Sequence, residues 1–262
     1  MNITTNCDND FFEPDAIHSF FPSSIAFCGL TLHARTKAHS CIVLLDLEQV
    51  EDTLEQRDLG LPKHVLSRPE LSYFKRFSYP KRRREWLGGR IAAKAAMLEL
   101  GKPDRMPGRL HKMSLLPDDH GRPVADTMQD ISISISHSGQ FAVGFAVKGG
   151  TCGIDLQQIS SKLNGLTGRF ASAHELTVLA ELPVHGNQTT RLTMLWAAKE
   201  ALKKSLLHDQ PVIFSGIELQ RVTIIQDHAY RFCCTVDGHL EQTAMLYNFS
   251  PYILSLTEAD HA

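Results

Sequence analysis

Residues Ile131 to Ser136 alternate Ile and Ser without a break. Such alternation is incompatible with an amphipathic helix, whose apolar positions recur every three or four residues. The segment is therefore predicted as a strand with Ile131, Ile133 and Ile135 on one face. A Ser138-Gly139 turn and the run from Gln140 to Val147 predict its partner strand. An earlier buried strand begins at Cys41, in CIVLL, and helices are predicted around Arg68–Phe77 and Lys81–Leu100. Gly101 and Pro103 stop the second helix. The segment LLPDDHGRPVADTMQD is read as a loop.

Lys148-Gly149-Gly150 is short, polar and flexible, and marks a boundary. After it the pattern restarts with a strand at Thr151–Leu156 and helices near Ala173–Leu182 and Arg191–Leu207. Strands follow at Glu218–Ile225, Tyr230–Val236, Ala244–Phe249 and Tyr252–Leu256. Helices mixed with hairpin-linked strands predict an α+β fold rather than a βαβ array. Residues 1–25 show neither period and are assigned to a polar N-terminal extension, which leaves halves at 26–148 and 149–262. No internal sequence repeat is evident.

The 262 residues, 43% of them hydrophobic, suffice for a substantial core, and a net charge of −2 gives no global pull toward nucleic acid or membrane. Six cysteines without a CxxC pair argue against zinc and for reduced thiols. The N-terminal residues lack the basic start of a secretory signal, and no apolar run approaches the ~20 residues of a spanning helix. A cytoplasmic protein is expected.

Three local features depart from this background. Lys75 to Lys112 holds twelve basic and three acidic residues, a density suited to a polyanion. On a helical wheel Arg83, Arg90 and Lys94 edge the apolar stripe of Leu87, Ile91, Ala95 and Leu98. A nucleic-acid-binding module is one reading, but no zinc finger, helix-turn-helix or RNA-recognition signature accompanies the run. In CGIDLQQI, Asp155 and Gln157 oppose Ile154 and Leu156 across the strand, and two oxygen ligands at that spacing suit a hard divalent cation. In LWAAKEALKKSL, Trp196, Glu200 and Lys204 follow one another at four-residue steps along the border of an apolar arc.

Taken in order, KRRREWLGGRIAAKAAMLELG, HGRP, SISHSG, GIDLQ, RFASAHE and WAAKEALKK resemble the 4′-phosphopantetheinyl transferases of the surfactin-synthetase-activating type. The resemblance covers about Leu71 to Ser205, and GIDxx with WxxKEAxxK is its specific part. It implies a pseudo-twofold monomer of two similar α+β subdomains with coenzyme A in the cleft between them. It further implies Mg²⁺ held by Asp155 and Glu200, with catalytic roles for both. Lys204 and His137 would contact phosphate, while Arg83, Arg90 and Arg122 would hold the nucleotide end. The other substrate would be a serine of an apo acyl or peptidyl carrier protein. The family pattern has Glu two positions after the metal Asp, where this chain has Gln157. An amide oxygen can still ligate Mg²⁺, but it brings no charge and cannot act as a base. A catalytically weak relative that only binds coenzyme A or a carrier is therefore the rival reading.

Overall fold

The computed structural model describes residues 16–55, 60–101, 110–182, 187–207 and 216–260. Its first five-stranded sheet contains β1 (Ser23–Phe27), β2 (Leu30–Thr36), β3 (Ser40–Asp46), β6 (Ile131–Ser138) and β7 (Phe141–Lys148), in the order β1-β2-β3-β7-β6. The second contains β8 (Gly150–Gln158), β9 (Ile217–Gln226), β10 (Ala229–Val236), β11 (Leu240–Phe249) and β12 (Tyr252–Asp260), in the order β8-β12-β11-β10-β9. All neighbouring strands are antiparallel. This is the expected mixture of helices and antiparallel sheets.

Each sheet buries one face under a long helix. Helix α5 (Pro80–Gly101) lays Leu87, Ile91, Ala92 and Ala96 on the first sheet against Val43, Leu45 and Ala142. Helix α7 (Gln188–Leu206) lays Leu195, Ala198 and Leu202 on the second against Phe232, Leu246 and Ile253. The remaining faces meet in a third core, where Ile42, Val143 and Phe145 pack on Ile154, Leu156 and Leu254. Strand β8 therefore sits between the layers, with Ile154 and Leu156 toward the first sheet and the alternate residues toward α7.

The serines of the Ile-Ser alternation join the two sheets. As an edge strand, β8 bonds β12 on one side only, which leaves the backbone N–H groups of Ile154, Leu156 and Gln158 without a strand partner. They donate instead to the hydroxyls of Ser134, Ser136 and Ser138 on β6, at 3.0, 3.1 and 2.9 Å. Ser132 completes the series by donating to the carbonyl of Gly150. A two-residue period on both strands is what lets every second side chain of β6 meet every second amide of β8.

A repeat does relate the halves. Helix α4 (Arg68–Phe74) and helix α6 (Ala173–Ala180) each open with a reciprocal capping box, Ser67 with Glu70 and Ser172 with Glu175. In each half a lysine 24 positions after that glutamate returns from the long helix to pair with it, Lys94 with Glu70 at 2.6 Å and Lys199 with Glu175 at 2.7 Å. The glutamates also accept from the backbone of Leu115 and Leu219. Few side chains carry this correspondence, too sparse a pattern to stand out in the sequence. It aligns Ala95 with Glu200 and Glu99 with Lys204, since each follows its lysine by the same interval.

Several expectations need correction. Residues 16–25 are part of the fold rather than a polar extension to it: α1 (Ala16–Ser19) lies there, β1 begins there, and Ile17, Phe20 and Phe21 are buried in the core between the sheets. Residues 1–15 lie outside the described residues. The stretch after β3 forms α2 (Leu47–Glu55) and α3 (Gly60–Val65). The expected loop around HGRP contains the hairpin β4 (Leu115–Pro117) and β5 (Pro123–Ala125). The boundary between halves is a single residue, Gly149, whose φ of +76° favours glycine.

Candidate active site

Asp155 lies on the α7 side of β8 and is 5% exposed. One carboxylate oxygen, Oδ1, accepts from Ser136 Oγ at 2.9 Å and from Lys204 Nζ at 2.8 Å. The other, Oδ2, is buried with no hydrogen-bond partner, and it is the sole carboxylate oxygen among the described residues in that condition. Ser255, directly across the β8–β12 ladder, is fully buried and its hydroxyl also lacks a partner.

Helix α7 brings Glu200 and Lys204 to this strand through an unusually close approach. A Cβ placed on Gly153 would lie 1.8 Å from the Ala201 carbonyl oxygen, so only glycine lets the helix settle there. Glu200 is half-buried, and burial together with the neighbouring Asp155 charge raises its pKa. Lys204 Nζ also donates to the carbonyl of Ile154 at 2.9 Å. Gln157 follows Asp155 on the same side of β8 and is half-buried.

His137 ends the Ile-Ser alternation on β6. Burial lowers its pKa, Glu85 and Asp155 oppose that shift, and Arg82 and Lys204 reinforce it. Its Nδ1 lies 3.8 Å from Glu85 Oε1. Arg122, in the β4–β5 hairpin, donates from Nε to Asp118 at 3.1 Å. Arg122 and Lys204 line one cavity of about 340 Å³, with Ser132 and Ile133 from the first half and Thr151 and Cys152 from the second. The structure thus brings Asp155, Glu200, Lys204 and His137 to the seam between the halves, with Arg122 on the adjoining cavity.

Part of the basic run is used inside the protein, while Lys75, Arg76, Lys81, Arg82 and Lys112 are exposed. Arg90 is 8% exposed, donates to the Leu115 carbonyl at 3.1 Å and lies over the Trp86 ring at 4.5 Å. Burial pulls its pKa down to about 10. Lys94 is fully buried in its ion pair, Arg83 lies over the Phe74 ring at 4.5 Å, and Arg84 pairs with Glu51. The expectation that Arg83, Arg90 and Lys94 border a ligand is therefore corrected for Arg90 and Lys94, whose charged ends are bound within the first half. Their positions at the edge of the helical stripe put them beside backbone carbonyls of α3, β4 and the turn at Leu110, which close over α5. Lys102, Arg105 and Arg109 lie outside the described residues. The sequence reading missed Ser136, Ser255 and Glu85; Ser136 alone had a visible signal, its place in the alternation next to His137.

The residues fit a divalent cation. An unpartnered buried carboxylate oxygen beside a second, half-buried carboxylate leaves negative charge that Lys204 alone offsets at Asp155. Among the described residues no group of three His, Cys, Asp or Glu forms a metal cluster, in keeping with an amide at Gln157.

A family model for the 4′-phosphopantetheinyl transferase N-terminal domain matches residues 74–147, and one for the 4′-phosphopantetheinyl transferase superfamily matches residues 151–256. A holo-[acyl-carrier-protein] synthase of Streptococcus agalactiae is 34% identical over 104 residues, which span 37% of this chain and 87% of that protein. The chain belongs to the 4′-phosphopantetheinyl transferase superfamily. The transferase psf-1 of Bacillus pumilus is 32% identical over 103 residues, 36% of this chain and 43% of that one. Among solved structures, a holo-(acyl-carrier-protein) synthase of Bacillus anthracis in complex with CoA (3′,5′-ADP) matches with 26% identity and a TM-score of 0.37. That match covers 42% of this chain and 95% of the other. The two family models divide the superfamily member near Gly149, where the structure passes from one sheet to the next.

Proposed function

We propose that this chain transfers the 4′-phosphopantetheine arm of coenzyme A to a serine of an apo acyl or peptidyl carrier protein, releasing 3′,5′-ADP. The observation that carries this reading is the seam itself. There a buried, half-satisfied Asp155 and a charge-strained Glu200 from one half meet His137 from the other, with Lys204 and Arg122 on the adjoining cavity. Two acidic oxygens framed by cations suit a diphosphate bound through a metal ion.

Asp155 Oδ2, Glu200 and the Gln157 amide oxygen would hold Mg²⁺, which when bound would supply positive charge to the reacting diphosphate. Lys204, His137 and Arg122 bind and orient phosphate oxygens, and Arg83 supports the nucleotide end. Glu200 accepts the proton of the carrier serine as its oxygen bonds to the β-phosphate and the bond to 3′,5′-ADP breaks. Both walls of the seam come from one chain, which supports a monomer of the surfactin-synthetase-activating type. No helix among the described residues is long and apolar enough to cross a membrane, and we place the enzyme in the cytoplasm.

The test is incubation with coenzyme A, Mg²⁺ and a panel of apo carriers, read as a mass gain on the carrier, with EDTA as the control. Transfer that persists in EDTA removes the metal from the reading. Gln157 favours one rival, a catalytically weak relative that binds coenzyme A. Coenzyme A binding with no mass gain on any carrier would establish it.

A further inference from the structure

We propose that Ser136 is a positioning residue for Asp155, dividing the two oxygens of that carboxylate between the protein and the cation. This rests on the transferase reading above. Ser136 is 6% exposed, and its hydroxyl is committed on both sides: it accepts from Leu156 N–H at 3.1 Å and donates to Asp155 Oδ1 at 2.9 Å. The amide bond fixes the direction in which the hydroxyl proton points, because a hydroxyl that accepts from one neighbour offers its single proton to another. Oδ1 is therefore held by two donors, Ser136 and Lys204. Oδ2 is left buried and unpartnered.

Without the hydroxyl, the carboxylate has one strong partner, the Lys204 ammonium, whose three donors can engage either oxygen. It is then free to turn both oxygens to that charge, in competition with a cation. Ser136 prevents this by pinning Oδ1 from the opposite half. The neighbouring rungs separate this role from simple adhesion. Ser134 makes the equivalent bond to Ile154 N–H at 3.0 Å and is 3% exposed, yet makes no bond to Asp155. Lys204 and Ser136 thus act as a pair, and the first half contributes to a cation site whose ligands all belong to the second.

The experiment compares wild type, S136A, S136T and S134A by Mn²⁺ binding, followed as loss of the free-ion electron paramagnetic resonance signal in the presence of 3′,5′-ADP. Thermal melts and transfer assays across a Mn²⁺ titration accompany it. S136A is expected to bind Mn²⁺ about tenfold more weakly, as loss of a partner behind a metal ligand typically does, with transfer largely recovered at high Mn²⁺. S136T, which keeps the hydroxyl, should restore the wild-type titration. S134A should lower the melting temperature about as much as S136A while leaving Mn²⁺ affinity unmoved. Equal weakening in S134A and S136A, or no weakening in S136A, overturns the proposal. Wild-type protein that binds no Mn²⁺ overturns the metal reading beneath it.

Discussion

Gly153→Ala tests whether the site depends on how closely α7 approaches β8. The added Cβ would meet the Ala201 carbonyl oxygen at 1.8 Å and its carbonyl carbon at 2.8 Å, both backbone atoms that no rotamer change can move. Relief to ordinary van der Waals contact requires a separation of about 1.5 Å between strand and helix. Asp155 lies two residues from Gly153 on the strand, and Glu200 immediately precedes Ala201 on the helix. The same displacement therefore opens the space between the two carboxylates. Misplacement by about 1 Å can cost ~100-fold in rate, so transfer should fall at least that far. Overpacking should lower stability by ~1–3 kcal/mol. Carrier modification followed by mass spectrometry, with a melt on the same sample, reads both. A G153A protein with wild-type rate would refute the coupling of helix approach to catalysis, whatever its stability.

Gln157→Glu should move the Mg²⁺ titration of transfer to lower concentration, because a third carboxylate strengthens attraction to the cation; an unmoved titration places this side chain away from the metal. Lys199→Met leaves Glu175 buried without its countercharge, a loss of ~3–5 kcal/mol that should lower the melting temperature by roughly 10 °C. Lys94→Met should behave alike, and a melt unchanged in either would deny these pairs their structural role. Burial holds His33 and His137 below the ordinary 6.5, His18 adding to the shift at His33, so the native state binds fewer protons than the unfolded chain. Stability should therefore fall as pH drops below 6.5 and level off below the folded-state values. The H33Q/H137Q double variant should flatten that decline in denaturant titrations, and an identical pH profile would contradict the shifts.

Strand β6 was legible because it carries an unbroken period: Ile131, Ile133 and Ile135 bury where the alternation puts them or close to it, and α7 holds Glu200 and Lys204 on one border. Asp155 and Glu200 were legible as a pair only through the family resemblance of GIDLQ and WAAKEALKK. Their juxtaposition depends on Gly153 and Ala201, contacts between elements far apart in sequence. Arg90 and Lys94 misled because periodicity gives the side of a helix a residue occupies, not what covers that side. Here the segments that cover it, α3, the turn at Leu110 and β4, offer the carbonyls of Val65, Leu110 and Leu115. The halves' kinship was hidden because buried charge pairs preserve it while the surrounding residues differ.

The serine rungs between β6 and β8 also set how this protein breathes. The amides of Ile154, Leu156 and Gln158 have acceptors in the opposite half, so they lose protection when the seam parts, even with both sheets intact. Amides inside the β9–β10–β11 ladder lose theirs only when the second half itself opens. Hydrogen exchange at these three positions therefore reports the free energy of separating the halves. A ligand that bridges them slows exchange there before it slows exchange anywhere in the second sheet.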